Sequence, residues 1–198
     1  MQNSPHDPHD PHDPYEPHGF LELIIGPMFS GKTTWLTNIY KTEYDNNKNI
    51  NIKVINFTGD KRYHDSMLST HDQVMIPCIF ADKLQDVCQE ADIINYDIIL
   101  INEGQFFPDL YETVYELVEK HHKRVHICGL DGDFKRQKFG GMLDLIPLCD
   151  RVFKLSASCL KCQRLAMFSK RLTNDEEQVV IGSSDYAPMC RKCYNDNN

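Results

Sequence analysis

The chain has no apolar run approaching the ~20 residues that a membrane-spanning helix needs. The longest candidates, residues 21–25 (interrupted by Glu22) and 98–101, have the length of buried strands. No basic N-terminal region precedes an apolar core, so no secretory leader is expected. A basic excess is also missing. Against 29 Asp and Glu stand 21 Lys and Arg, a formal net charge of −8. That balance excludes the basic footprint with which nucleic-acid binders neutralise phosphates. It does not exclude a nucleotide, because a few local cations and backbone amides handle a triphosphate whatever the global charge. The expectation is a cytoplasmic protein with no membrane and no nucleic-acid partner. With 198 residues, 41% of them hydrophobic, the chain can bury one good core and a small satellite.

Eight cysteines are present, and four form two Cys-x-x-Cys pairs, Cys159/Cys162 and Cys190/Cys193. In a reducing compartment such pairs point to a metal rather than to disulfides. Four thiolates are the tetrahedral set of a structural Zn²⁺, and they leave no open position for catalysis. The metal would stand in for a core that so small a unit cannot build. Cys78, Cys88, Cys128 and Cys149 sit singly among apolar neighbours and read as small buried hydrophobes.

Residues 1–18 are a different material. Residues 4–14 read SPHDPHDPHDP, a Pro-His-Asp repeat with nothing apolar to offset the entropy of ordering. The tail is expected to be disordered, with His6, His9, His12 and His18 solvated rather than metal-bound. From Phe20 the pattern alternates. Strands are expected at 20–25, 52–57, 98–101, 125–130 and 152–157, and helices from 32 to about 44, at 84–90 and at 110–121. Alternating strands and helices imply an α/β fold, a mostly parallel sheet with helices on both faces. Such sheets bind ligands beyond the C-terminal ends of their strands.

The first such end carries GPMFSGKT, residues 26–33, between a strand and a helix. This is the P-loop pattern G-x-x-x-x-G-K-[ST]. Its glycines let the backbone turn N–H groups inward as an anion nest, and the helix N-terminus adds its positive end. Gly26, Pro27, Met28, Phe29, Ser30, Gly31, Lys32 and Thr33 are therefore the expected ATP site. Lys32 is expected on the β- and γ-phosphates, and the Thr33 hydroxyl on Mg²⁺. The strand at 98–101 ends in NEGQFF, where Glu103 is the only carboxylate. It is the candidate general base for an attacking 5′-OH. The pair Phe106 and Phe107 reads either as a stacking surface for a flat ligand or as core.

The set GPMFSGKT, Asp60-Lys-Arg-Tyr63, Thr70-His-Asp72, Glu103-Gly-Gln-Phe-Phe-Pro108 and Leu130-Asp-Gly-Asp-Phe-Lys-Arg136 closely resembles the type II thymidine kinases of animals, bacteria and large DNA viruses. The resemblance runs from about Leu21 to Tyr194. It implies a P-loop NTPase-like kinase domain at 19–157, a zinc-binding lasso subdomain at 158–194 and a short tail at 195–198. It implies transfer of the γ-phosphate of ATP to the 5′-OH of thymidine, and of deoxyuridine, giving dTMP for DNA synthesis by salvage. Glu103 would be the base, and Arg62 would lie near the transferring phosphate with Lys32. Asp60, Thr33 and Asn102 would attend Mg²⁺. Met28, Phe106, Leu130, Phe134, Phe139, Ser169, Val180, Gly182 and Tyr186 would hold the nucleoside, the lasso gripping its base. A homotetramer inhibited by dTTP is implied as well.

Three departures stand out. Asn102 replaces the family's Asp before the base, Ser169 stands where many members have Thr, and the lasso is one residue shorter after Gly182. Two other readings compete. One is a nucleotide-binding module whose zinc ribbon handles nucleic acid, which the acidic charge opposes. The other is a catalytically weakened relative, motivated by Asn102.

Overall fold

The computed structural model describes residues 18–60, 67–69, 74–180 and 185–196, with Asp60 described through its backbone. The repeat at 4–14 with its three histidines, Arg62 and Gly182 lie outside the described residues, as do Tyr63 and the Thr70-His-Asp72 motif.

β1 (Phe20–Ile25) leads into α1 (Lys32–Asn46), then β2 (Ile52–Phe57). A hairpin of β3 (Met67–Ser69) and β4 (Met75–Pro77) comes next, then β5 (Ile79–Ala81). After α2 (Glu90–Ile93) come β6 (Ile98–Ile101), α3 (Leu110–Tyr115), β7 (Arg124–Gly129) and β8 (Arg151–Lys154). Six strands form one sheet in the order β5-β2-β6-β7-β1-β8. Every pair in it is parallel. β1 and β6 are buried at every position. That burial explains their apolar sequence, since a parallel strand is covered on both faces.

The pleat divides those residues into two cores. Leu21, Leu23, Ile25, Ile55, Ile99, Ile101, Val125 and Ile127 pack on Leu110, Val114 and Leu117 of α3 and the turn after it. Ile24, Val54, Ile98, Leu100 and Cys128 pack on Leu36 of α1 and on Leu68 and Ile76 of the hairpin. Helices on both faces of a parallel sheet are thus observed. α1 carries four threonines, each about 0.5 kcal/mol poorer than alanine in a helix. It is held by packing instead: Leu36 is fully buried, with Trp35, Ile39 and Tyr40 beside it.

Three elements differ from the sequence expectation. Residues 84–90 are not one helix but a single 3₁₀ turn, Leu84–Asp86, separated from α2 by the extended Gln89. The Asp109 carboxylate accepts from the Leu84 and Gln85 N–H groups at 3.1 and 2.9 Å, which fixes that turn by a contact from elsewhere in the chain. The helix expected at 110–121 turns α to π at Glu116–Lys120. The strand expected at 152–157 ends at Lys154. Beyond Leu155 the chain builds a small unit of its own. There β9 (Ala157–Ser158) pairs with β10 (Leu165–Ala166), and β11 (Phe168–Arg171) pairs with β12 (Tyr186–Met189), with α4 (Arg191–Asn195) last. Its core is three alanines, one methionine and three cysteines, with Tyr194 against it. No described helix is long and apolar enough to cross a membrane.

Candidate active site

The loop from β1 to α1 begins at Gly26, whose φ of 151° no L side chain adopts readily, and a Cβ there would lie 2.7 Å from the Leu155 carbonyl oxygen. Phe29 is left-handed at φ 63°, a strain of order 1–3 kcal/mol that persists only where surroundings enforce it. The Ser30 hydroxyl and the buried Lys32 ammonium both donate to the Pro27 carbonyl, at 2.8 and 2.7 Å. α1 then starts without a side-chain cap and without an acidic residue in its first turn. Its N-terminal N–H groups and positive dipole end suit an anion.

Two strands away, β6 ends in Asn102, which is buried. Its Oδ1 accepts from the Thr33 hydroxyl at 3.4 Å and from the Cys128 thiol at 2.9 Å, and its Nδ2 donates to Asn56 Oδ1 at 2.8 Å. Glu103 comes next, at φ 57°. Gln105 Nε2 donates to the Glu103 carboxylate at 2.6 Å, while Gln105 Oε1 accepts from the Leu130 N–H at 2.9 Å. Gly129 makes room for that amide, since a Cβ there would meet Gln105 Oε1 at 2.6 Å. Asn56, Cys128 as a donor, and Gln105 escaped the reading of the sequence. One signal was available: an Asn inside the apolar strand IKVINF must find a partner when buried.

The aromatic pair after Glu103 divides. Phe107 belongs to the core beneath α3, whereas Phe106 meets Phe139 edge-on at 5.4 Å and stacks on Phe57 at 4.8 Å. The Met28 N–H donates to the buried Ser169 hydroxyl at 2.9 Å, which ties the loop of residues 26–33 to β11. The Tyr186 hydroxyl donates to the Val180 carbonyl at 3.2 Å. The Arg171 guanidinium lies 3.8 Å above the Phe134 ring and 5.0 Å from the Tyr186 ring. Leu130 enters through its N–H on Gln105.

Cys159, Cys162, Cys190 and Cys193 converge in the small unit, their Sγ atoms all within 4.8 Å of one another. The Cys162 and Cys190 sulfurs are 3.6 Å apart, close to the ~3.8 Å edge of a tetrahedron with ~2.3 Å Zn–S bonds. None of the eight cysteines is in a disulfide. Hydrogen bonding to Cys162, then burial, pushes the Cys193 thiol up to about 12, while the Cys193 N–H draws the Cys190 thiol down. Burial opposes ionisation of Cys159, but N–H groups of Cys190, Cys162 and Lys161 outweigh it and hold it at about 6. Four thiols so close cannot all ionise without a cation, and the cluster is compatible with structural zinc. The single cysteines depart from expectation in part: Cys128 is buried, but Cys78, Cys88 and Cys149 are only half-buried.

A sequence profile of the family described as thymidine kinase matches residues 19–194. The thymidine kinase of vaccinia virus (strain Western Reserve) is 42% identical over 181 residues, 90% of this chain and 98% of its own length. The cytosolic thymidine kinase of Cricetulus griseus is 42% identical over 178 residues, 89% of this chain and 73% of its own. The thymidine kinase of Oryza sativa subsp. japonica is 40% identical over 182 residues, 90% of this chain and 67% of its own. A match that spans both the uncapped loop at α1 and the four-thiol cluster leaves one assignment: the chain belongs to the thymidine kinase family.

Proposed function

We propose that this protein transfers the γ-phosphate of ATP to the 5′-OH of thymidine, and of deoxyuridine, to give dTMP. The observation that carries the reading is the 3.4 Å contact between Thr33 Oγ1 and Asn102 Oδ1. It joins the phosphate-loop hydroxyl to the residue immediately before the only carboxylate at the end of β6.

In this reading the N–H groups of residues 26–33 and the N-terminal end of α1 receive the β- and γ-phosphates. Lys32 exchanges its Pro27 carbonyl for phosphate oxygens, an exchange favoured because a charge-assisted bond is roughly twice as strong as one to a neutral acceptor. Thr33, Asp60 and Asn102 would hold Mg²⁺, and the two described oxygens, Thr33 Oγ1 and Asn102 Oδ1, are of the hard type it prefers. When bound, the metal neutralises charge on the β- and γ-oxygens. The Glu103 carboxylate takes the 5′ proton as the 5′ oxygen bonds to the γ-phosphorus and the bond to ADP breaks. Gln105 holds one carboxylate oxygen and so orients the group. Arg62 would balance charge on the transferring group. Phe106 and Phe139 offer a flat wall to the base, with Met28, Leu130, Phe134, Ser169, Val180, Gly182 and Tyr186 completing its pocket.

The same reading divides the chain into a kinase domain at 19–157 and a zinc-binding lasso subdomain at 158–194. It includes a cytoplasmic homotetramer serving nucleotide salvage, with dTTP as feedback inhibitor. The test is transfer of labelled γ-phosphate from ATP with thymidine, deoxyuridine and deoxyguanosine as acceptors. Labelled dTMP and dUMP without labelled dGMP is the expected result. No transfer to thymidine at any magnesium concentration would overturn the proposal in favour of a weakened relative.

A further inference from the structure

From Leu172 to Val179 the chain is exposed at every residue, and it runs between β11 and β12 without regular structure. Such a segment does not order itself, having almost no apolar surface to bury. Yet its carbonyls converge on one buried side chain. Arg171 Nη1 donates to the Asp175 carbonyl at 2.9 Å and also to the Glu177 carbonyl. Its Nη2 donates to the Gln178 carbonyl at 3.3 Å and also to the Tyr186 hydroxyl. Each of these acceptors is neutral. The same guanidinium covers the Phe134 ring at 3.8 Å.

A second tie runs parallel to the first. Gln178 Nε2 donates to Asp133 Oδ2 at 2.9 Å, while Asp133 Oδ1 caps the N–H groups of Lys135 and Gln137, both at 2.8 Å. Arg171 also stands two residues after Ser169, on the same face of β11, and both are buried. One strand face therefore meets the phosphate loop through Ser169 and the exposed segment through Arg171.

We propose that Arg171 is a positioning residue that latches residues 175–180 against Phe134 and so sets affinity for the nucleoside without touching ATP. The inference rests on the thymidine kinase reading above. A guanidinium suits the task because its rigid fork of donors reaches several carbonyls while its face stacks on a ring. A lysine, a single point charge, cannot replace both functions.

The experiment compares wild type with Arg171→Lys and Arg171→Gln in steady-state kinetics, checking zinc content to confirm that the thiolate cluster stays folded. The thymidine KM should rise about tenfold or more, the scale of one lost hydrogen bond to a charged group. The ATP KM should stay within about twofold, and lysine should not rescue. An unchanged thymidine KM, an equal rise in both KM values, or rescue by lysine would overturn the latch. Independently of activity, a protease specific for glutamate should cut after Glu176 and Glu177 more slowly in wild type than in Arg171→Gln; equal rates overturn the proposal. If wild type itself makes no dTMP, the kinase reading fails and the cleavage rates alone decide the latch. Should the arginine variants fold too poorly to assay, Gln178→Ala carries the test. Faster cleavage and a raised thymidine KM support the latch, and wild-type values overturn it.

Discussion

Asn102 faces Asn56 across the space between β6 and β2, the Nδ2 of the first donating to the Oδ1 of the second at 2.8 Å. The Phe57 N–H donates to that same Asn56 oxygen at 3.0 Å. The pair is neutral, and it fixes the Asn102 amide so that its carbonyl oxygen points to Thr33. In the proposed reading, an outer ligand with no charge would leave Mg²⁺ less tightly held, because partners around a metal's direct ligands typically tune affinity about 10–100-fold.

Asn102→Asp should therefore lower the Mg²⁺ concentration for half-maximal rate by about tenfold. It should also cost stability. A carboxylate oxygen would oppose the Asn56 oxygen, a loss of about 1–3 kcal/mol, seen as a melting temperature lower by several degrees. Magnesium titration and thermal unfolding check the two effects. An unchanged magnesium requirement would mean that Asn102 takes no part in holding the metal.

The thiolate cluster should bind about one zinc per chain. Chelation, or Cys190→Ser, should lower the melting temperature and weaken thymidine binding more than ATP binding, since β11 carries Ser169 while the loop of residues 26–33 follows β1 of the main sheet. Metal analysis of folded, active protein that finds no zinc would remove the site.

Cys88 tests the environment around α2. Burial pushes its thiol up to about 12, with Lys53 opposing and Asp109 and Asp92 adding to the rise. Because the thiolate is the reactive form, alkylation of Cys88 at pH 8 should run at least about 100-fold slower than that of an ordinary thiol, and quicken as pH rises. Mass-spectrometric mapping of labelled cysteines measures this directly. Reaction at the rate of an ordinary thiol would contradict the burial.

How far each feature reaches along the chain decides whether the sequence showed it or hid it. β1, β2 and β6 could be read residue by residue because strands buried on both faces are largely apolar runs. The turn of residues 26–33 between β1 and α1 and the convergence of the cysteine pairs were legible because each rests on a local motif of fixed spacing. The strands β3, β4, β5, β9, β10, β11 and β12 were missed, being two to four residues long and defined by a distant partner rather than by a period. The partners of Asn56 and Gln105 are hidden for the same reason. Asn102 lies 46 positions from Asn56, and Leu130 lies 25 from Gln105, so no short window of sequence contains both members. The roles of Phe106 and Phe107 could not be separated from composition. Phe107 enters the core while Phe106 stacks on Phe57 and meets Phe139, a division that follows the φ of 57° at Glu103 and the turn beyond it.

Whether Glu103 takes the 5′ proton during transfer from ATP to thymidine is tested by Glu103→Gln beside wild type. The substitution keeps the shape and removes only the basicity. Binding of ATP and thymidine, measured by calorimetry, should be retained, while kcat falls by roughly 10²-fold or more, the usual scale for a general base. Near-normal kcat in the variant would contradict the account and send the search for the proton acceptor elsewhere in the site.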